Sequence, residues 1–316
     1  MKIVFLGTPE FAVPSLEALL KTSWIEVLAV CTQTDKEAGR GKKIQEPPVK
    51  IFAKGKGLNI LQSFKIAKEP EVIEKIKNLK PDILITCAFG QILSQEILDI
   101  SSYGVINVHA SILPKYRGAA PINWAILNNE KETGVSIMKT ELGLDTGPVL
   151  LIEKCTIGEN ETSIELTKKL SAVGASALIK ALEKVKNNDA KFIPQNNSCA
   201  TKAPIIKKEL GKINWDSTSQ DIHNKIRGLQ PWPSAYTTYN GKILKLWDSR
   251  NVVGNVSKNN SQDILPGTIV EISDYITVKT KDGYINIYKL QLENKNIINS
   301  KDWINGSRVK IGDKFE

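Results

Sequence analysis

The sequence predicts an α/β protein of two domains, in which a mostly parallel sheet covered by helices precedes a smaller antiparallel β-barrel. As far as residue 187, short apolar β-rich runs alternate with helical patterns, as in successive βα units. A stretch without periodicity, rich in Asn, Ala and Pro, follows at 188–206 and is predicted to be a linker. In 207–316, β-rich runs are separated by N-G, P-G and D-G turn signals, which are typical of antiparallel barrels.

The first domain opens with a Rossmann-like alternation of elements. Strands are predicted at Lys2–Gly7, Glu26–Thr32, Ile83–Cys87 and Gly104–Val108, and helices near Pro48–Lys56 and Pro70–Leu79. The first turn, at Gly7, lacks the second and third glycines that let a pyrophosphate approach the backbone. No P-loop is present either. We therefore expect neither a dinucleotide nor a nucleoside triphosphate site.

The predicted secondary structure differs between the end of the first domain and the second domain. A strand at Val149–Thr156 precedes a helix at Thr162–Lys186, which a capping box formed by Thr162 and Glu165 should open. After the linker, a helical pattern covers residues 222–229. The β-rich runs that follow are Ala235–Tyr239, Ile243–Trp247, Thr268–Val270, Ile276–Thr280 and Tyr284–Leu290. Runs this short, joined by turns, predict the small barrel.

The composition indicates a folded cytoplasmic protein. Lys and Arg number 43 against 34 Asp and Glu, and residues 207–316 carry 17 of the basic and 12 of the acidic side chains. This excess favours a nucleic-acid partner but also occurs in proteins that bind none. The four cysteines are widely spaced, without a CxxC or Cys/His cluster, and are interpreted as reduced thiols. Neither a signal peptide nor a membrane-spanning run is apparent, so no membrane partner is expected.

Three polar residues are candidates for catalysis. Asn107 and His109 end an apolar run two positions apart, so in a strand their side chains share a face at its carboxyl end, where open α/β sheets bind ligands. Asp145 lies in a glycine-bracketed loop between two further strand-like runs, which can return it to the pair. An amide, an imidazole and a carboxylate together suit acyl or formyl transfer. The alternative is a packed histidine and a turn aspartate.

A long connection at Gln33–Pro47 carries the basic residues Arg40, Lys42 and Lys43 among Gly39 and Gly41. Loops of this length are usually functional or disordered, and glycine permits a mobile basic finger that encloses a phosphate. From the residues alone, a solvated charge run is an equally good interpretation.

The sequence resembles the folate-dependent formyltransferases. The resemblance rests on I-N-V-H-A-S-I-L-P-K-Y-R-G-A-A-P-I at 106–122 and G-L-D-T-G at 143–147. The opening K-I-V-F-L-G-T-P-E-F-A-V-P, the A-G-R-G-K-K loop at 38–43 and L-Q-P-W-P at 229–233 narrow it to members that act on charged initiator tRNA. It covers nearly the whole chain. Ile112, where Leu is more usual, and Thr34, where Pro is more usual, are small departures.

The resemblance implies formyl transfer from 10-formyltetrahydrofolate to the α-amine of methionine on charged initiator tRNA, by a monomer that needs no metal. It implies catalytic roles for Asn107, His109 and Asp145, a catalytic domain at 1–187 and an OB-like, tRNA-binding domain at 207–316. It favours contact of the tRNA acceptor stem with Arg40, Lys42 and Lys43. The residues expected to contact folate are Ser111, Ile112, Leu113, Pro114, Phe89, Gly90, Ile92 and Leu93; for the last four, core packing is nearly as good an interpretation.

Two other functions are consistent with parts of this pattern. A formyltransferase of small amines, such as a glycinamide ribonucleotide or an amino sugar, would need neither the basic second domain nor the basic loop. An RNA-binding protein that has lost catalysis would not need Asn107, His109 and Asp145 together. Comparing formyl transfer to charged tRNA and to small amines separates the three.

Overall fold

The described residues form two compact units. The computed structural model describes residues 1–38, 43–252 and 264–316. Unit 1 consists of Met1–Pro121, Glu132–Thr156 and Thr167–Pro204, and unit 2 of Ile122–Lys131, Ile157–Leu166 and Ile205–Glu316. In the described part of the chain, no helix is long and apolar enough to cross a membrane.

Unit 1 contains a seven-stranded, mostly parallel sheet. The strands of unit 1 are β1 (Lys2–Gly7), β2 (Glu26–Gln33), β3 (Lys36–Ala38), β4 (Lys43–Gln45), β5 (Ile60–Ser63), β6 (Ile83–Cys87), β7 (Val105–His109), β8 (Arg117–Gly118), β9 (Glu132–Lys139), β10 (Val149–Thr156) and β11 (Lys202–Ala203). Of these, β3 pairs with β4 and β8 with β11 in separate two-stranded sheets. The order in the sheet is β10-β9-β7-β6-β1-β2-β5. The pairs among β7, β6, β1, β2 and β5 are parallel, and β9 joins β7 and β10 antiparallel. The predicted Rossmann-like sheet is confirmed.

The central strands are nearly continuous apolar runs because both of their faces are buried. Every residue of β6 is buried, and so is every residue of β1 after Lys2. The helices that begin in the first two-thirds of the chain are α1 (Val13–Lys21), α2 (Pro48–Gly55), α3 (Pro70–Asn78), α4 (Gln95–Leu98), α5 (Pro121–Leu127) and α6 (Ser163–Lys186). At Gly174 of α6 a Cβ would lie 3.0 Å from the Val108 side chain, so this glycine lets the helix pack closely on β7.

The predicted capping box of α6 is confirmed. The backbone N–H of Thr162 donates to Glu165 Oε2 at 2.8 Å, and the backbone N–H of Glu165 donates to Thr162 Oγ1 at 3.3 Å. The side chain at each position thus satisfies a backbone donor that the first turn of the helix leaves unpaired.

Unit 2 contains an antiparallel sheet that the C-terminus closes into a barrel. Its elements are α7 (Ser219–Gly228), β12 (Ala235–Tyr239), β13 (Lys242–Asn251), β14 (Ile269–Ile272), β15 (Ile276–Lys279), β16 (Tyr284–Leu292), β17 (Ile297–Asn299) and α8 (Ser300–Ser307). The order is β12-β13-β16-β15-β14, with β17 also on β16. Glu316 exchanges two backbone hydrogen bonds with Thr238 of β12, while Phe315 donates to the carbonyl of Gly267 and Asp313 accepts from Ile269. The last residues of the chain therefore bridge the two edge strands.

The core of unit 2 is aromatic at this closure. The rings of Trp215 and Phe315 stack with centroids 5.6 Å apart, and Tyr239 meets Trp303 edge-on at 5.2 Å. Trp215, Trp303 and Phe315 are buried. Burial of Phe315 in this cluster holds in place the last residues of the chain, which bridge the two edge strands.

Helix α7 ties the segment 157–166 into unit 2. The buried Arg227 donates to the carbonyls of Gly158 at 3.2 Å and Glu161 at 2.9 Å. The buried His223 lies between the hydroxyl of Ser249 at 2.9 Å and the carbonyl of Glu159 at 3.2 Å. Because a carbonyl can only accept, Nε2 of His223 carries a hydrogen.

The burial of His223 predicts a pH dependence of stability. Desolvation lowers the pKa of His223 below its ordinary value of 6.5. The unfolded chain then binds the His223 proton more tightly than the folded chain does. The contribution of His223 to the free energy of unfolding should therefore be fully present above about pH 7.5 and decrease as the pH falls through 6.5 toward the folded-state pKa. Urea unfolding between pH 5.5 and 7.5 measures this slope. His223→Gln should remove it; an equal slope in the variant would assign it to another group.

Candidate active site

Asn107 presents an amide at the carboxyl end of the sheet. It lies in β7, half-buried, and its Oδ1 accepts a hydrogen bond of 2.9 Å from the hydroxyl of Thr86 on β6. That bond fixes the orientation of the amide. Among the described residues Nδ2 has no acceptor, so its hydrogens remain available to a bound molecule.

His109 is the last residue of β7 and is buried. Its Nε2 lies 3.0 Å from the carbonyl oxygen of Tyr116, which can only accept, so Nε2 carries a hydrogen. Its Nδ1 lies 3.7 Å from Oδ1 of Asp145. This distance is within ion-pair range but longer than a hydrogen bond, and Nδ1 is therefore not committed to the carboxylate.

Asp145 reaches the histidine from the loop between β9 and β10. Its backbone is left-handed, with φ +53°, and its Oδ2 accepts the backbone N–H of Gly118 at 2.8 Å. Two residues later, a Cβ on Gly147 would lie 1.9 Å from the carbonyl oxygen of Lys139, so only glycine fits there. The glycine bracket in the sequence thus reflects a tight closure that returns Asp145 to His109.

A second set of contacts surrounds the Asp145 loop, and no sequence pattern predicted it. Gln195 donates from Nε2 to the carbonyls of Asp145 at 2.9 Å and Gly147 at 2.7 Å. Its Oε1 accepts from Nε and Nη2 of Arg117, at 3.0 and 2.8 Å. Strand β11 pairs in parallel with β8 beside these bonds. The segment predicted to be a linker is thus hydrogen-bonded to the Asp145 loop within unit 1.

The residues after His109 are anchored on β9. The hydroxyl of Ser136 donates to the carbonyl of Ser111 at 2.7 Å and accepts from the backbone N–H of Leu113 at 3.0 Å. Leu113 is buried against Met138 and Val149. Ser111 is buried and donates its hydroxyl to the carbonyl of Lys115. Ile112 is half-buried, as is the neighbouring Pro114.

The other segment that was predicted to contact folate follows β6. It too contains both buried and exposed residues. Phe89 and Leu93 are buried in the core beside α3 and α4, whereas Gly90 is exposed and Ile92 is 81% exposed. Gly90 has φ +73°, and a Cβ there would lie 2.6 Å from the Gln33 amide. Of the eight predicted folate residues, Gly90, Ile92, Ile112 and Pro114 offer surface to a ligand.

The basic loop is based on a hairpin of β3 and β4. Arg40 and Lys42 lie outside the described residues, and Lys43 is the first residue of β4. At the base, Lys50 bonds the carboxylate of Asp35 at 2.7 Å and that of Glu46 at 3.0 Å. The hydrogen bonds to these carboxylates, of which that to Asp35 has the larger effect, raise the pKa of Lys50. The strand before the hairpin is also joined to the segment that follows β6, because Gln33 donates to the carbonyl of Phe89 at 2.8 Å.

Within the described residues, no group of three or more His, Cys, Asp or Glu side chains is arranged to hold a metal ion. The polar groups at the end of β7 are an amide, an imidazole and one carboxylate. They suit proton transfer and the stabilisation of an oxyanion.

Comparison with known proteins identifies the family. A solved sugar 3N-formyltransferase, WlaRD, has a TM-score of 0.69 at 25% identity, covering 94% of this chain and 99% of its own. The formyl transferase family model matches residues 1–182, and the model of its C-terminal domain matches 205–308. The methionyl-tRNA formyltransferase of Ruminiclostridium cellulolyticum is 46% identical over 316 residues, covering 100% of this chain and 99% of the relative. That of Acetivibrio thermocellus is 45% identical over 314 residues, covering 99% of each. The chain belongs to the methionyl-tRNA formyltransferase family.

The surface at the ends of β6 and β7 includes two of the predicted folate residues. The backbone of Gly90 is exposed there, and so is the apolar side chain of Ile92. The buried Phe89, Leu93, Ser111 and Leu113 support these segments from beneath. The structure thus divides the predicted folate residues into exposed and supporting ones, a division that sequence patterns did not resolve.

Proposed function

We propose that Asn107, His109 and Asp145 carry the reaction of this methionyl-tRNA formyltransferase. In that reaction the formyl group of 10-formyltetrahydrofolate passes to the α-amino group of methionine on charged initiator tRNA. The observation that supports the assignment is the approach of Asp145 Oδ1 to His109 Nδ1, 3.7 Å apart, at the strand end where Asn107 has a free amide.

The two donors act on the formyl oxygen. The bound folate supplies an electrophilic formyl carbon, and attack by the neutral amine places negative charge on its oxygen and positive charge on the nitrogen. Asn107 donates Nδ2–H to that oxygen. His109 donates to the same oxygen from Nδ1 when its ring is the imidazolium, because Nε2 already donates to the carbonyl of Tyr116. One such donor typically contributes about 3–4 kcal/mol to transition-state stabilisation.

Asp145 acts as the base. Its carboxylate orients the imidazole and takes up the proton of the ammonium, directly or through water. Gly118 satisfies Oδ2, which leaves Oδ1 to receive this proton. The tetrahedral centre then collapses by breaking its bond to the folate nitrogen, which takes up a proton from Asp145, directly or through water, and leaves as a neutral amine. The formyl group remains on the attacking amine.

We further propose that residues 1–187 form the catalytic domain and 207–316 a platform for the tRNA, joined by 188–206. The support is the basic excess of 207–316 and exposed side chains there, including Lys207, Lys208 and Trp232.

We expect a cytoplasmic monomer. Its four cysteines are free thiols, and burial raises the pKa of Cys31 and Cys87 to about 12, which keeps both in the unreactive thiol form.

The test is formyl transfer by the purified chain to three acceptors. Charged initiator tRNA should be formylated with 10-formyltetrahydrofolate as donor, while an amino-sugar nucleotide and a glycinamide ribonucleotide should not. Faster transfer to either small amine would overturn the proposed acceptor. Transfer to none of them would overturn the proposed reaction.

The basic loop gives a separate prediction. Arg40→Ala should raise KM for charged tRNA about tenfold, the equivalent of one charge-assisted hydrogen bond, because we expect its guanidinium to bind a phosphate or base edge of the tRNA. Folate affinity should not change. Lys21→Ala removes the same charge from an exposed position on α1 and is the matched control. Equal tRNA kinetics for the two variants would assign Arg40 to solvent.

A further inference from the structure

We propose that Gln195, held in orientation by Arg117, positions Asp145 for proton transfer. This inference rests on the proposed role of Asp145 as the base. It assigns a positioning function to a residue of the segment that connects the two family domains, 13 positions beyond the end of the first match at residue 182.

The hydrogen bonds leave the side-chain amide of Gln195 one orientation. Arg117 can only donate, so the atom that it approaches at 2.8 and 3.0 Å has to be Oε1. The carbonyls of Asp145 and Gly147 can only accept, so the atom that they share has to be Nε2. Both hydrogens of the amide are thereby used, one on each side of the turn. Arg117 is itself fixed by a second bond from Nη2 to Asn197 Oδ1 at 2.8 Å.

The backbone conformation of Asp145 needs such a restraint. A non-glycine residue in the left-handed region costs about 1–2 kcal/mol, and it persists where surrounding contacts determine it. The residues just before it, from Glu141 to Leu144, are exposed and offer no packing. Gly118 restrains the carboxylate, but in the described chain Gln195 is the side chain that restrains its backbone.

The consequence is an effect on chemistry rather than on binding. If the turn relaxes, Oδ1 moves relative to His109 Nδ1 and to the incoming amine, while Ile92 and Pro114 stay in place. Misplacing a reacting group by about 1 Å can cost about 10²-fold in rate. A cross-link with a merely structural role would instead lower thermal stability and leave the kcat of the folded enzyme unchanged.

The experiment uses Gln195→Glu in the full-length enzyme. A carboxylate keeps the shape and the bonds to Arg117 but has no hydrogen for the two carbonyls. We expect kcat for charged tRNA to fall about 10–100-fold, with KM for tRNA and for folate within about threefold. Gln195→Met, which removes both sets of bonds, serves if the first variant does not fold. The control is Asn196→Ala in the same segment. It removes the side-chain oxygen that accepts the backbone N–H of Ser198 but removes no contact with Asp145, so the variant should retain kcat.

A double-variant cycle separates positioning from general loss of order. In an Asp145→Asn background the base is absent, so adding Gln195→Glu should lower kcat by less than about threefold. A full 10–100-fold loss in that background, or normal kcat in the single variant, would overturn the positioning role. Normal turnover in Asp145→Asn itself would instead overturn the proposed catalytic role of Asp145.

Discussion

Asp145→Asn should lower kcat by about 10²–10⁴-fold, the usual contribution of a positioned general base. The amide oxygen of asparagine can still accept the backbone N–H of Gly118, so the turn should keep its shape. What is lost is the basic oxygen that faces His109. KM for both substrates should therefore remain near the wild-type value, and single-turnover formylation at saturating tRNA and folate measures the effect.

Glu141→Gln provides the matched control for this prediction. Glu141 lies in the same loop and is exposed, and its substitution removes the same charge. It should leave kcat unchanged. If Asp145→Asn turns over at nearly the wild-type rate, the proton of the ammonium goes to another acceptor, and Asp145 is a turn residue.

His109→Ala should lower kcat by about 10²–10³-fold, as the removal of an oxyanion donor does. It also leaves the carbonyl of Tyr116 without its donor, which can disturb the loop. His109→Gln addresses this, because its amide can still donate to that carbonyl while the imidazole is lost. Rates for both variants should be compared with folate affinity measured by direct binding.

The chain has a second histidine that controls for the residue type. His223 is buried in unit 2. His223→Gln should change the pH dependence of stability and leave kcat of the folded enzyme intact. A rate loss as large as that of His109→Ala would indicate that the loss in both variants comes from unfolding, and His109 would lose its catalytic assignment.

Sequence patterns predicted several strands with the observed bounds, namely β1, β6, β10 and β12. Buried apolar residues fill β6 and all of β1 after Lys2, whereas β10 and β12 are partly exposed β-rich runs. Strand β5 was missed because it has four residues at the sheet edge, of which only Ser63 is buried. Helix α8 was missed because a polar run with one buried Trp303 has no apolar stripe.

The residues of the candidate site also differ in how far the sequence could predict their positions. Asn107 and His109 are two apart on one strand, so their shared face follows from local geometry. Asp145 could be placed only through a motif, and Gln195 not at all. Its partners at 117 and 145 are distant in the sequence, and no periodicity or turn chemistry relates them. Such contacts depend on the completed sheet.

The assignment of 122–131 and 157–166 to unit 2 has a consequence for biosynthesis. Asn123 donates to the carbonyl of Gly228, and Arg227 to those of Gly158 and Glu161. A ribosome synthesises both early segments well before it reaches these partners on α7. All residues of unit 1 have been made once translation has passed Pro204, whereas unit 2 combines two segments made before that point with residues made after it. The hydrogen bonds that tie these two segments to α7 can therefore form only after translation has passed Gly228.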